Sequence, residues 1–315
     1  MDGDRLPPHI ASPLGPYKGE KPPAPAWFEK AIAQEPERSF VAANGAEIEL
    51  LAWGERGKPG LLLVHGASAN ADWWSFIAPQ LANDYRVAAI SLSGMGRSEW
   101  REVYSFDDFS AEMDAAAAAA GLYEAPGKPV YVGHSFGGAA VYYAAVTEPE
   151  RMRATILVDS GFGGGRRQPA SDDVDPPPKS NRIYPTLEAA LARFRFMPAQ
   201  EAGNPFIIDW IARHSLKEIT GPGGEAGWTW RFDPMLFPKL DRSSMVKAAG
   251  KTPGPVVHVH GERSNVIERN GGGRAVLGPD VPFIAIPDSD HHVMVDQPLA
   301  LVAALRSVLT LWPTG

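Results

Sequence analysis

The sequence predicts an α/β protein built on a mostly parallel, doubly wound sheet, and three observations predict it. Short apolar, β-branched runs alternate with helical patterns over most of the 315 residues. One of them, Leu61-Leu62-Leu63-Val64, is apolar without interruption, as a strand covered on both faces is. A third run, Val130-Tyr131-Val132, leads into Gly133-His134-Ser135-Phe136-Gly137 and then into the small-residue helical stretch Gly138 to Val146. Strand, sharp turn and helix is the context in which G-x-S-x-G is a nucleophile elbow. The serine there is held in a strained conformation with its hydroxyl projecting from the sheet. The flanking glycines avoid a Cβ that the neighbouring strand and helix would exclude. Without that context the pentapeptide is only a small-residue βα turn.

Taken in order, residues 1–26 carry Pro7, Pro8, Pro13, Pro16, Pro22, Pro23 and Pro25, so a proline-rich arm is expected, without helix or central strand. Trp27-Phe28 opens a short helical stretch. Ser39 to Trp53 reads as a hairpin about Asn44-Gly45, a dipeptide suited to a type I′ turn. Helix signals cover Trp73 to Leu81, and Arg86 to Leu92 is a further buried strand. Phe106 to Gly121 has acids in its early turns and glycine at its end, as a helix does. Thr155-Ile156-Leu157-Val158 is the next strand and runs into Asp159. The alternation then breaks. Glycine clusters, Pro176-Pro177-Pro178 and aromatics mark 161–251 as a cap insertion, with helices expected over 186–196 and 204–217. Strands return at Val256 to Gly261 and Phe283 to Pro287, and a helix from Pro298 to Leu311 closes the chain. The core is therefore read as 27–160 and 252–315.

Composition narrows the function. The net charge is −7 with no basic block, which argues against nucleic-acid binding, and the absence of cysteine excludes disulfides, zinc-thiolate sites and thiol catalysis. No stretch is long and apolar enough to span a bilayer, and the first thirty residues lack a signal-peptide core. The expectation is a cytoplasmic enzyme acting on a small molecule, with no membrane or nucleic-acid partner. Gly94-Met95-Gly96 lacks the third glycine of a dinucleotide fingerprint. Gly163-Gly164-Gly165 and Gly271-Gly272-Gly273 lack a phosphate-loop lysine. Trp73, Trp74, Trp210, Trp228 and Trp230 are read mainly as packing, with Trp74 and Trp210 as candidates for a pocket wall.

These motifs together resemble the α/β-hydrolase superfamily, over nearly the whole length beyond the arm. The resemblance rests on His65-Gly66 after the third strand, Ser91 to Ser98 after the fourth, the elbow, and His291-His292-Val293-Met294-Val295-Asp296-Gln297-Pro298 near the end. Two positions depart from the usual pattern: Ser91 stands where an aspartate is common, and Asp290 where a glycine is. The resemblance implies an eight-stranded sheet with a helical cap, serine esterase or lactonase chemistry, and neither metal nor organic cofactor.

It also implies the site. Ser135, a poor nucleophile by itself, needs a base. The order nucleophile, acid, histidine and the register of Val293 to Pro298 select His291, with His292 as rival. His134 is read as a buttress of the turn, His65 as a holder of the following loop, and His258 and His260 as structural. The acid of many relatives falls here on Ser264, followed by Asn265, and neither is a carboxylate. A second arrangement in the family puts the acid after the strand that follows the elbow helix, which is Asp159. Glu262 and Glu268 remain alternatives. The oxyanion hole is expected from the backbone N–H groups of Ala67 and Phe136. The function expected is hydrolysis of a carboxylic ester or lactone. The same triad acting on an amide or carbon–carbon bond, and a slow-turnover receptor, stand as alternatives.

Overall fold

The computed structural model describes residues 6–161, 180–221, 223–248, 251, 254–266 and 273–312. Glu268, the proline triplet, the glycines 163–165 and the first two of the triplet 271–273 lie outside the described residues.

Twelve strands are described: β1 (Glu37–Ala43), β2 (Ala46–Trp53), β3 (Gly60–Val64), β4 (Arg86–Ile90), β5 (Tyr104–Ser105), β6 (Val130–His134), β7 (Ala154–Val158), β8 (Leu216–Thr220), β9 (Ala226–Trp230), β10 (Leu240–Asp241), β11 (Val256–Gly261) and β12 (Phe283–Ile286). Eight form the main sheet, in the order β1-β2-β4-β3-β6-β7-β11-β12. Only β2 runs against its neighbours; every pairing from β4 to β12 is parallel. The expected α/β sheet is thus the one observed. Residues of β3, β4, β6 and β7 are buried throughout, because helices cover both faces. The strand order steps outward from β3 in both directions, so the carboxyl ends of β3 and β6 sit side by side at the switch point.

The local signals act as their chemistry dictates. Asn44 and Gly45 both take positive φ, 46° and 78°, and close the β1–β2 hairpin. The helix Phe106–Ala119 begins where Ser105 Oγ accepts the Asp108 N–H, and its Ala116 and Ala117 pack inward on the sheet. Several expectations need correction; the helix expected over 186–196, for one, spans only Leu187–Leu191. The stretch Trp73 to Leu81 is not one helix but a 3₁₀ turn, Ala71–Trp74, and a single α turn, Ala78–Leu81. Proline at the second position fits the first turn of a helix but not its interior, and Pro79 restarts the chain there. The helix expected over 204–217 spans Pro205–His214; Lys217 belongs to β8, which pairs with β9 as an unforeseen hairpin. The proline-rich arm contains a helical turn, Pro8–Ala11, with proline in its first turn, where a missing N–H costs nothing.

The arm lies against the body. Leu14 is buried, Ser12 Oγ donates to the Ala192 carbonyl at 2.6 Å, and Arg213 Nη2 donates to the Gly19 carbonyl at 2.6 Å. Phe28 packs against Phe76 and Phe206. The segment between β7 and β11 is tied to the carboxyl edge of the sheet by its own side chains. Trp210 Nε1 donates to the Asp72 carbonyl, and Asn70 Nδ2 donates to Ser215 Oγ. No helix among the described residues is long and apolar enough to cross a membrane.

Candidate active site

Ser135 sits at the end of β6 with φ 52° and ψ −117°, a left-handed region that costs a residue with a Cβ of order 1–3 kcal/mol. Two close approaches hold it there. A Cβ on Gly133 would lie 2.5 Å from the Gly137 carbonyl oxygen, and one on Gly137 would lie 2.2 Å from that of His65. The elbow can therefore be this tight only with glycine at both places. Ser135 N–H donates to the Val158 carbonyl at 2.9 Å, which pins the turn to β7. The hydroxyl is half-buried, at the start of the helix Phe136–Thr147.

The structure brings Ser135, His291 and Asp159 together. His291 Nε2 lies 2.9 Å from Ser135 Oγ, and His291 Nδ1 lies 2.9 Å from Asp159 Oδ1. A carboxylate oxygen only accepts, so Nδ1 carries the ring proton and Nε2 is free to take one from the serine. Asp159 follows β7 with φ 45°, is fully buried, and meets two further donors. The Gly261 N–H donates to its Oδ2 at 2.8 Å and the Ser264 hydroxyl to its Oδ1 at 2.7 Å. Ser264, set aside as unable to be the acid, is thus a donor to it. Glu262 is exposed and faces the Asp288 N–H.

His292 does not reach the serine. Its ring is buried against Trp73, Phe196 and His134, and burial together with the neighbouring imidazoles holds it well below the usual histidine range. Burial, with His291 adding to it, pushes His134 down to about 3. The His134 ring contacts the His291 carbonyl through Nε2 at 3.0 Å, so it buttresses the histidine loop as well as the turn. His65 is pushed down to about 4 by burial. Its Nε2 accepts the Leu92 N–H and its Nδ1 donates to the Gly66 carbonyl, which fixes the neutral tautomer and the loop after β3. In that loop Ala67 is exposed, at the second position of a turn closed by Ala69 N–H to the Gly66 carbonyl. Among the described residues no hydrogen bond occupies the N–H of Ala67 or of Phe136.

The ligand atoms of His134, His291 and His292 lie within 4.8 Å of one another, close enough to raise the question of a metal. Their chemistry favours packing. Both His291 nitrogens are engaged by Ser135 and Asp159, so this ring has no nitrogen left for an ion. His258 stacks on Phe283, with centroids 4.8 Å apart, and its Nε2 meets the Ser160 backbone. Of the two pocket-wall candidates, Trp74 is fully buried in the core, and Trp210 packs on Phe28 and His214.

Sequence reasoning missed the fastening of the histidine loop. Gln200 Oε1 accepts the His292 N–H at 2.9 Å, and its Nε2 donates to both oxygens of Asp296 at 3.0 Å. Asn204 stands at the N-cap of the helix Pro205–His214, and its side chain does not bond that helix: its Nδ2 donates to the carbonyls of Val295 and Asp296, at 2.8 and 3.1 Å. Burial pushes the Asp296 carboxyl up to about 6, against the lowering effect of the Asp290 N–H it accepts. A cavity of about 240 Å³ opens beside this fastening and reaches Ser264 and His291. No local pattern marks a glutamine more than ninety residues from its partners.

With this geometry in place, comparison with known proteins is informative. A model of the alpha/beta hydrolase family matches residues 61–305. The lipase LipV of Mycobacterium tuberculosis is 32% identical over 84% of this chain and 98% of its own. The chain belongs to the alpha/beta hydrolase family. A pimeloyl-[acyl-carrier protein] methyl ester esterase of Edwardsiella ictaluri is 36% identical, over 33% of this chain; the match spans about a third (37%) of that esterase's length. Among solved structures, the thioesterase domain from the curacin biosynthetic pathway aligns with TM-score 0.67 at 21% identity, covering 86% of this chain and 99% of its own. E-2-(acetamidomethylene)succinate hydrolase aligns at 0.66 and 18% identity, covering 87% and 98%. At such identities these two likenesses speak to the fold alone.

Proposed function

We propose that this alpha/beta hydrolase is a serine hydrolase that cleaves a carboxylic ester or lactone of an apolar small molecule through an acyl-enzyme. The observation that carries the reading is the unbroken chain of contacts from Ser135 Oγ through His291 to Asp159, 2.9 Å at each step. The esterase and lipase names of its relatives support ester chemistry.

In this reading Ser135 Oγ attacks the ester carbonyl while His291 Nε2 takes the hydroxyl proton. Asp159 holds the imidazole in the correct tautomer and balances its charge once protonated. The N–H groups of Ala67 and Phe136 receive the developing oxyanion, with the positive end of the helix behind Phe136 adding favourable potential. His291 returns its proton to the leaving alkoxide, which departs as alcohol. Water, deprotonated by the same imidazole, then attacks the acyl carbon, and the acid leaves with Ser135 restored. Residues 161–251 serve as a cap, and its aromatic content favours an apolar acyl or alcohol group.

The test is a panel of nitrophenyl esters of graded chain length, lactones and amino-acid amides, assayed on the wild type and on Ser135→Ala. Ester or lactone turnover that falls by about 10⁵ or more in the variant is expected. Amide turnover exceeding ester turnover, or turnover that survives the substitution, contradicts the reading.

A further inference from the structure

We propose that the cavity lined by Gly96, Arg97, Ser98, Trp100, Lys217 and Arg231 is a second binding site, which takes a phosphate dianion either free or on a phosphomonoester. The cavity encloses about 350 Å³. Its lining includes none of Ser135, His291 and Asp159.

The charge balance is the central point. Four cations gather here: Arg38, Arg97, Arg231 and Lys217. Two buried carboxylates, Glu49 and Asp72, face them, and both are already committed. Glu49 pairs with Arg38 and, at 3.2 Å, with Arg97, and it also accepts the Ser91 hydroxyl and the Arg97 N–H. Asp72 pairs with Arg38 at 2.9 Å. Arg231 and Lys217 make no ion pair among the described residues. Of the other acids nearby, Glu99 makes no ion pair with either cation among the described residues and accepts the Glu47 N–H, and Glu218 falls on the opposite face of β8 from Lys217. Arg231 and Lys217 therefore bring two positive charges to one cavity with no direct ion-pair partner among the described residues, although Glu49 and Asp72 act on Arg231 from a distance, and this arrangement suits a dianion.

The two groups are also aimed. Arg231 is half-buried, and its Nε donates to the Leu216 carbonyl at 2.8 Å, which leaves the outer guanidinium nitrogens for a ligand. Burial and the neighbouring Arg97 hold its pKa below the usual arginine range, the condition of a cation that an anion would relieve. Lys217 Nζ stands 5.6 Å over the Trp100 ring, and Trp100 is 46% exposed. An organic group on the phosphate would lie against this face. A forked guanidinium beside a mobile ammonium suits tetrahedral oxyanions. Ser98 takes no part, since its hydroxyl donates to the Ser91 carbonyl and accepts the Glu49 N–H.

The test is calorimetric titration of the intact protein with inorganic phosphate and with phenyl phosphate at pH 8, where both are dianions. It reads binding and not turnover, so it succeeds or fails apart from the hydrolase reading and can be run on Ser135→Ala. Saturable binding that weakens with added salt is expected. Lys217→Gln, which removes no hydrogen bond of the fold, should weaken it about tenfold, and Arg231→Gln at least as much. Phenyl phosphate binding more tightly than inorganic phosphate identifies a phosphomonoester as occupant, and equal affinities identify free phosphate. Absence of binding by either probe, or unchanged affinity in Lys217→Gln, overturns the proposal.

Discussion

The two halves of the candidate site are held by different means. On the elbow side, Ser135 is fixed by backbone: one N–H to the Val158 carbonyl, and glycines whose absent Cβ atoms would stand 2.2 to 2.5 Å from carbonyl oxygens. On the histidine side, position comes from side-chain hydrogen bonds reaching across the chain. Ser264 and the Gly261 N–H hold Asp159, Gln200 and Asn204 hold the segment 292–296, and the His134 ring holds the His291 carbonyl. The contrast implies that the nucleophile's placement fails abruptly when a methyl is added. The base and its acid should fail by degrees as single hydrogen bonds are removed.

Three substitutions probe that contrast. Asp159→Asn keeps the shape but loses the charge and the tautomer control, and kcat should fall by about 10⁴. A loss below tenfold would show that another carboxylate orients His291. Gly137→Ala forces a methyl against the His65 carbonyl; misplacement of the serine should cost about 10² in kcat, with a stability loss of about 1–3 kcal/mol seen in urea unfolding. Full activity there would mean the elbow has slack. Ser264→Ala removes one donor from Asp159 and should lower kcat about tenfold with the fold intact. If it matched Gly137→Ala instead, the histidine side would be as brittle as the elbow.

The smallest effect concerns pH and stability. His134 is neutral in the folded protein, with its pKa pushed down to about 3. Unfolded, it titrates near the ordinary value of about 6.5. Below that value the unfolded chain binds the extra proton, so stability from this group is present above pH 6.5 and is lost as pH falls toward 3. Urea unfolding from pH 6 to 4 should lose about 1.4 kcal/mol per pH unit through this residue, and His134→Asn should flatten the slope by that amount. Parallel slopes in the two proteins would show that the imidazole protonates while folded.

Much of the architecture was legible because it rests on local rules. The apolar runs of β3 and β6, the Asn44-Gly45 turn and the strand–turn–helix around Ser135 each follow from a few adjacent residues. The residues now seen beside one another, Ser135, His291 and Asp159, were nameable because chain order and register link them to a family pattern. What stayed hidden depends on distance in sequence. Ser264 looked like a missing acid until the structure placed it 2.7 Å from Asp159 as a donor. Ser91 looked like a missing aspartate, but its hydroxyl donates to Glu49, a carboxylate supplied from β2. The β8–β9 hairpin escaped because Lys217 and its neighbours continue a helical pattern that the pairing to β9 overrides.

The central claim is that Ser135 is an activated nucleophile. Its most direct test is labelling of the folded protein with a fluorophosphonate, read by intact mass and peptide mapping. One adduct per chain, on Ser135, and a rate at least a hundredfold slower in His291→Ala are predicted. No adduct, or an adduct on another residue that persists in Ser135→Ala, would contradict the account.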